Sequence, residues 1–313
     1  MSSKVLVITG PTASGKTALA VELAKRHSGE VISADSMQIY RRMDIGTAKP
    51  TAEEMGGVPH HMIDVADPEE DFSVARYVDM AAACVEGVLS RGKLPILAGG
   101  TGLYIDSLLS GRTFAAFDER SPLRAQLEER YARAGGQALL QELAKADPDA
   151  AARLHPNDGK RIVRALEVWL TTGRTITEHN RETRSLPPRY HALTLTLDFQ
   201  RREDMWDRID RRVDAMMEAG LETEVRELLG SGVPERCTAM QAIGYKEMAA
   251  AIQGDGDIRA AAEEIKLRSR QYAKRQRTWF RRNQAAKILL WGPVPNFTDI
   301  LQRSTTYLEE FGI

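Results

Sequence analysis

Short apolar runs alternate with amphipathic stretches along both ends of the chain, while the middle carries only helical periodicity. The first run, Lys4-Val5-Leu6-Val7-Ile8-Thr9, has the length and β-branched content of a buried strand. Residues 16–27 follow with helical spacing and stop near Gly29. A second strand, Glu30-Val31-Ile32-Ser33-Ala34, runs into Asp35-Ser36-Met37-Gln38. Residues 41–72 are rich in Gly, Pro and Asp and read as loop. Ser73 caps a helix that reaches about Ser90, with Gly92 beyond its end. A third strand, Leu94-Pro95-Ile96-Leu97-Ala98, leads into Gly99-Gly100-Thr101-Gly102-Leu103-Tyr104. Strands alternating with helices predict an α/β fold with a parallel sheet.

From about Arg112 to Arg189 the strand signal disappears. Ser121-Pro122 starts one helix and Gly135-Gly136 ends it. Residues 137–145 form a second, broken by Asp147-Pro148. Asn157 or Asp158 caps a third, which runs through Leu170 to Gly173. The segment closes at Leu186-Pro187-Pro188. We therefore expect an α/β core from 1–112 and 190–313, with 113–189 as an all-helical insertion. The core resumes with a strand at 192–197 and a helix from about Arg202 to Glu218, whose buried face is Met205, Ile209, Val213 and Met216. Residues 221–230 form another helix, and Met240–Lys246 a glycine-containing turn. A long helix spans about Ile258 to Arg282, followed by a strand, Lys287–Trp291, and a polar tail.

Composition narrows the class without choosing a function. The 313 residues are 42% hydrophobic and 28% charged, as in ordinary globular chains. No run approaches the length of a membrane span. The first strand starts so early that no signal peptide is expected. Cys84 and Cys237 make neither a disulfide framework nor a zinc cluster, and a reducing cytoplasm suits them. A monomer is the default expectation.

Chemistry concentrates after the first strand. Gly10-Pro11-Thr12-Ala13-Ser14-Gly15-Lys16-Thr17 fits the phosphate-loop pattern between strand and helix. Its glycines let successive N–H groups face phosphate oxygens, and the helix start and Lys16 add positive charge. Thr17 offers a hydroxyl to Mg²⁺. A di- or triphosphate is implied, whether or not it belongs to a nucleotide. Asp35, at the carboxyl end of a parallel strand, falls at the same crevice; it equally suits a turn cap. Thr101 at the third strand end offers a donor to phosphate where many phosphate-loop enzymes carry an acidic metal ligand. His60 and His61, adjacent on an extended segment, face opposite ways and suit structure better than joint metal ligation. Arg208 and Arg212 lie one turn apart beside the buried face of their helix.

Net charge is −1, which alone argues against a polyanionic partner. The last long helix departs from that average. Lys266, Arg270, Lys274, Arg277 and Arg281 share one stripe of roughly 23 Å at 1.5 Å rise per residue, with Ile265, Tyr272 and Trp279 opposite. No acidic residue occurs between Ile265 and Ala286. The stripe is expected to be uncompensated and to meet a nucleic-acid backbone. Lys160, Arg161 and Arg164 form a second basic edge on the insertion.

Five segments together resemble the tRNA dimethylallyltransferase (tRNA isopentenyltransferase) family. They are Gly10–Thr17, Ala34–Tyr40, Gly99–Tyr104, Ile243-Gly244-Tyr245-Lys246-Glu247 and Lys274-Arg275-Gln276-Arg277-Thr278-Trp279. The resemblance runs from residue 4 to about 282 in the family's order. It implies a phosphate-loop core that moves a dimethylallyl group from dimethylallyl diphosphate to the N6 amine of the adenosine at tRNA position 37. The loop would then hold a diphosphate leaving group, with Lys16, Thr101 and Arg212 stabilising it, Arg208 competing for that last role, and Mg²⁺ on Thr17. Asp35 would accept a proton from, or hold, the attacking amine. The target base would be flipped from the anticodon loop and read by Ser36 and Gln38, with Met37 between them also a tRNA contact. RNA contacts would fall on Lys160-Arg161-Ile162-Val163-Arg164, on Met240-Gln241-Ala242-Ile243-Gly244-Tyr245-Lys246, and on residues 274–281, Phe280 included. The insertion would grip the anticodon stem-loop.

Three alternatives compete. A small-molecule kinase shares the phosphate loop and the Asp but leaves the basic helix unexplained. A prenyltransferase acting on free adenine nucleotides would have no use for that helix. A non-catalytic RNA-binding protein would not need Lys16, Thr17, Asp35 and Thr101.

Overall fold

The structure is a computed structural model that describes residues 4–111, 121–184, 186–254 and 256–313. The chain divides into two compact units, Met1–Leu109 with Tyr190–Ile313, and Ser110–Arg189. The insertion thus begins three residues before the expected 113, and residues 112–120 lie outside the described ones.

In the first unit the elements run β1 (Lys4–Thr9), α1 (Lys16–Arg26), β2 (Gly29–Ser33), α2 (Ala52–Met55), β3 (His60–His61), α3 (Val74–Ser90), β4 (Leu94–Ala98) and α4 (Gly102–Leu109). The second unit holds α5 (Pro122–Ala134), α6 (Gly136–Ala146), α7 (Pro148–Ala151), α8 (Gly159–Thr172) and α9 (Ile176–Arg184). The first unit resumes with β5 (His191–Phe199), α10 (Arg202–Glu218), α11 (Leu221–Gly230), α12 (Tyr245–Gln253), α13 (Ile258–Phe280), β6 (Lys287–Trp291) and α14 (Phe297–Phe311).

The six strands form one parallel sheet in the order β3-β2-β4-β1-β5-β6. Strands buried on both faces need apolar runs, and Val5 to Ile8 supplies one, whereas β5 alternates Leu193, Leu195, Leu197 and Phe199 with Thr194, Thr196 and Asp198. All their carboxyl ends lie on one edge, where a doubly wound sheet gathers its ligand site. Thr9 ends β1, Ser33 ends β2, Ala98 ends β4 and Trp291 ends β6.

The polar tail expected after β6 is instead α14. Asn296 caps it by accepting from Asp299 N–H, and Ile300, Leu301 and Leu308 bury one face in the core. Apolar residues spaced seven or eight apart carried that signal among polar neighbours. The histidine pair forms the edge strand β3. His61 Nε2 lies 2.7 Å from Glu30 Oε2, and His60 Nδ1 lies 2.9 Å from Val58 O. Arg91 and Lys93 join His61 around the buried Glu30, and hydrogen bonds from Arg91 first of all hold its carboxyl down at about 2.

The helical unit packs Leu127, Leu139, Leu143, Ile162 and Leu166 into its own core. Its helices α7 and α9 were not anticipated. Asp147 joins them, capping α7 at Ala150 N–H and accepting from Thr177 N–H at 3.0 Å. Pro148 at the first helical position explains why the same Asp-Pro both ends α6 and starts α7.

Candidate active site at the phosphate loop

The turn between β1 and α1 is built by backbone that favours glycine. Gly15 has φ +84° at the helix cap, and Gly10 has φ +148°. A Cβ on Gly10 would meet Leu197 O at 2.5 Å, so β5 leaves no room for a side chain there. Lys16 folds back over the loop and donates to Pro11 O at 2.8 Å. Burial, and then the neighbouring Arg212, push its ammonium down to about 7, while Asp35 works in the opposite direction.

Two distant side chains lock this loop. Trp291 Nε1 donates to Ser14 O at 2.9 Å, and Gln276 Oε1 accepts from Thr12 N–H at 2.8 Å. Gln276 Nε2 also donates to Gly100 O at 2.9 Å, so one buried amide ties α13 to the phosphate loop and to the glycine turn after β4. That turn is glycine-rich because of close approach. A Cβ on Gly99 would meet Ala34 O at 2.2 Å, and one on Gly102 would meet the Trp279 ring at 2.3 Å. The position that carries an acid in other phosphate-loop enzymes is here a packing joint.

Asp35 does both things open to it. Its Oδ1 accepts from Met37 N–H at 2.9 Å and Gln38 N–H at 3.4 Å, capping the turn. The residue also lines two cavities. One, of about 830 Å³, is bordered by residues 12–18, Gln38, Glu54, Arg208, Arg211, Arg212, Tyr272 and Trp291. The other, of about 310 Å³, is bordered by Ser36, Met37, Thr47, Ile209, Val213, Met216, Gln241, Ile243, Ile265 and Arg275. Thr12, Asp35, Arg212 and Tyr272 belong to both. Burial and then Asp35 raise the Tyr272 phenol to about 12, so it stays a neutral donor. Burial lowers Arg212 from its ordinary range, against the pull of Asp35.

The loop over this site is clamped from behind. Glu224 accepts from Asp44, Ile45 and Gly46 N–H at 2.8 to 3.2 Å and from Tyr245 OH at 2.5 Å. The clamped loop presents Thr47 O to Arg212 and to Gln38. Sequence reasoning missed Gln276, Trp291, Tyr272 and Glu224 in these roles. Of these, only Trp291 carried a usable signal, as the last residue of a parallel strand.

Several expected contact residues sit differently from their sequence pattern. Thr101 Oγ1 accepts from Ser36 N–H at 3.0 Å and donates to Ser36 Oγ, so it braces the Asp35 turn. Gln38 is engaged at both ends, accepting from Ser33 Oγ and donating to Thr47 and Ala48 O. Ile162 and Val163 belong to the core of the helical unit, beneath exposed Lys160 and Arg161; Arg164 pairs with Glu167 at 2.8 Å. Met240, Ala242, Tyr245, Gln276 and Phe280 are also buried. Runs of consecutive helical residues necessarily turn some side chains inward.

The basic stripe of α13 is not uncompensated. Lys266 pairs with Asp214 at 2.7 Å, Arg270 with Asp210 at 2.6 Å, and Arg277 and Arg281 with Asp198 at 2.7 and 3.3 Å. The acids come from α10 and the end of β5, which the local sequence of α13 cannot reveal. Lys274 keeps no ion pair among the described residues, and it and Arg275 are exposed. Trp279, on the far side, donates to Asp106 at 2.9 Å.

A metal would find few protein ligands. Among the described residues no group of three His, Cys, Asp or Glu could hold one. Thr17, half-buried on the large cavity, is a hydroxyl donor of the kind Mg²⁺ takes alongside phosphate oxygens and water. No helix among the described residues is long and apolar enough to cross a membrane.

Known proteins resemble the chain over nearly its whole length. The family described as IPP transferase matches residues 38–283. A tRNA dimethylallyltransferase of Acetivibrio thermocellus is 45% identical over 99% of this chain and 98% of its own. One from Trichlorobacter lovleyi is 50% identical over 91% and 93%. Among solved structures, a tRNA isopentenylpyrophosphate transferase of Bacillus halodurans covers 99% of this chain and 98% of its own, at 43% identity and TM-score 0.73. A eukaryotic dimethylallyltransferase acting on tRNA covers 98% of this chain and 79% of its own, at 30% identity and TM-score 0.85.

Proposed function

The chain belongs to the IPP transferase family, the tRNA dimethylallyltransferases, and from that premise we propose how its site performs the transfer. It is a prenyltransferase that places a dimethylallyl group on the N6 amine of a tRNA adenosine. The acceptor is the adenosine at position 37, reached by flipping it out of the anticodon loop. One observation carries this reading: Asp35 stands on both the phosphate-loop cavity and the neighbouring, more apolar one. A diphosphate and a flipped base can therefore meet at one carboxylate.

The phosphate loop, Lys16 and Arg212 hold the diphosphate. The allylic carbon–oxygen bond breaks with its electron pair going to the leaving diphosphate, and a carbon–nitrogen bond forms to N6. The proton lost from N6 passes to Asp35, whose Oδ1 is fixed by its turn. Cations aimed at the leaving group lower the barrier because its charge grows as the bond opens. Thr101 braces the Asp35 turn, and Tyr272 borders both cavities beside it. Mg²⁺, held by Thr17 with phosphate oxygens, would offset the charge of the bound diphosphate. Exposed Lys160, Arg161, Lys274, Arg275 and the backbone of the 240–246 turn supply RNA contacts. We place the reaction in the cytoplasm, performed by a monomer.

Incubation with labelled dimethylallyl diphosphate, Mg²⁺ and total tRNA should yield N6-dimethylallyladenosine on nucleoside analysis. A tRNA with guanosine at position 37 should accept nothing. Asp35→Ala should lose turnover by at least about 10²-fold with tRNA binding nearly kept. Unchanged turnover would remove Asp35 from the mechanism, and label on free AMP but not on tRNA would remove the RNA.

A further inference from the structure

Arg208 and Arg212 look like alternatives in the sequence, one turn apart on α10. Their surroundings differ. Arg212 borders both cavities, together with Asp35. Arg208 borders only the phosphate-loop cavity. Its guanidinium lies over the Trp291 ring at 5.1 Å and beside Phe199 at 5.7 Å. Its Nη2 would stand 3.9 Å from a Cβ built on Gly15, at the flank of the loop. Its Nη1 is buried and has no hydrogen-bond partner among the described residues.

A planar cation stacked on aromatic rings has its fork pre-aimed and loses little entropy on binding an anion. Leaving a buried guanidinium N–H unpaired is costly unless a ligand completes it. Among the described residues no acid pairs with it: Asp204, one turn earlier, meets Arg201 at 3.8 Å, and its own Oδ2 is buried without a hydrogen-bond partner. The large cavity is lined by four cationic side chains, Lys16, Arg208, Arg211 and Arg212, against two carboxylates, Asp35 and Glu54. That excess matches a polyanion. Trp291 supports both sides of the contact, since the ring beneath Arg208 also donates to Ser14 O.

We propose that Arg208 is a second diphosphate-binding residue, gripping the phosphoryl group distal to the breaking bond while Arg212 acts on the proximal one. The division follows from position. Arg212 shares the surroundings of Asp35, where the carbon–oxygen bond opens, whereas Arg208 sits beside Gly15 away from that junction. The proximal phosphate gains most charge in the transition state; the distal one is gripped alike before and after. Arg208 therefore contributes uniform binding and Arg212 transition-state binding. This assignment rests on the diphosphate-cradle reading above.

The test is titration calorimetry of inorganic diphosphate into the full chain, beside steady-state transfer to tRNA and thermal melts. Arg208→Met, which keeps an unbranched apolar stem and removes the guanidinium, should weaken diphosphate binding about tenfold and raise KM for dimethylallyl diphosphate in proportion. Its kcat should fall far less than that of Arg212→Met. Arg208→Lys should recover part of the binding. Diphosphate affinity within about twofold of the parent in a normally melting Arg208→Met would overturn the proposal. So would a fall in Tm with equal losses of diphosphate and tRNA affinity, which marks a packing role. If the parent chain itself moves no prenyl group to tRNA, the function reading fails; if it does and Arg208→Met binds diphosphate normally, only this assignment fails.

Discussion

At the scale of single residues, Lys16 shows how the site is poised. Its ammonium is buried beside Arg212, and both effects favour the neutral amine, so the group titrates near 7 instead of 10.5. Between those values the unfolded chain binds a proton that the folded chain does not. Stability therefore rises with pH across that window, and the full cost of burying the charged lysine is present below about 7. A diphosphate bound as proposed would reverse the preference by supplying the missing anion. At pH 8.5 an unreactive dimethylallyl diphosphate analogue, fully ionised, should take up about one proton per molecule bound. Calorimetry in buffers of different ionisation enthalpy reads that number; no uptake would mean that Lys16 does not meet the ligand.

At the scale of elements, α13 turns its opposite faces to different surroundings. Its inward residue Gln276 bonds Thr12 and Gly100 and so sets the shape of the phosphate loop. Its outward stripe has been divided by packing against α10. Arg270, at 2.6 and 2.8 Å from the two oxygens of Asp210, fastens helix to helix. Lys274 is exposed. The two cations should therefore respond differently to removal. Lys274→Ala should weaken tRNA binding and reduce the slope of log K against log salt by about one. Arg270→Ala should cost about 1 kcal/mol of stability, the scale of a partly exposed pair, with the slope nearly unchanged; filter binding across a salt series and denaturant titration separate them. The helix itself was plain from periodicity, and so were α10 and α11. The acids that neutralise its stripe were not, because Asp198, Asp210 and Asp214 lie more than fifty residues before their partners in the chain. A cation count along one helix measures local charge, and pairing is tertiary.

At the scale of the whole molecule, the site is assembled from both ends of the chain. The phosphate loop was legible as a motif because its chemistry is local: glycine backbone, helix start, lysine, threonine. Asp35 and the glycine turn were legible as strand ends of a parallel sheet. Trp291 and Gln276 were not, since they reach the loop across 277 and 264 residues. Burial separated the members of each contact run, as with Ile162 and Val163 beneath Lys160 and Arg161. The second cavity, of about 310 Å³, opens on Asp35, and in the proposed reaction it would take the base where a phosphoryl-transfer enzyme positions water or a hydroxyl. In the proposed reaction the loop holds a leaving group, and the bond broken is carbon to oxygen. Dimethylallyl diphosphate labelled with ¹⁸O at the ester oxygen between the allylic carbon and the proximal phosphorus decides which bond breaks. With tRNA and no ATP, one diphosphate should be released per prenyl group transferred, carrying all of the label. Release of orthophosphate, or transfer that requires ATP, would contradict it.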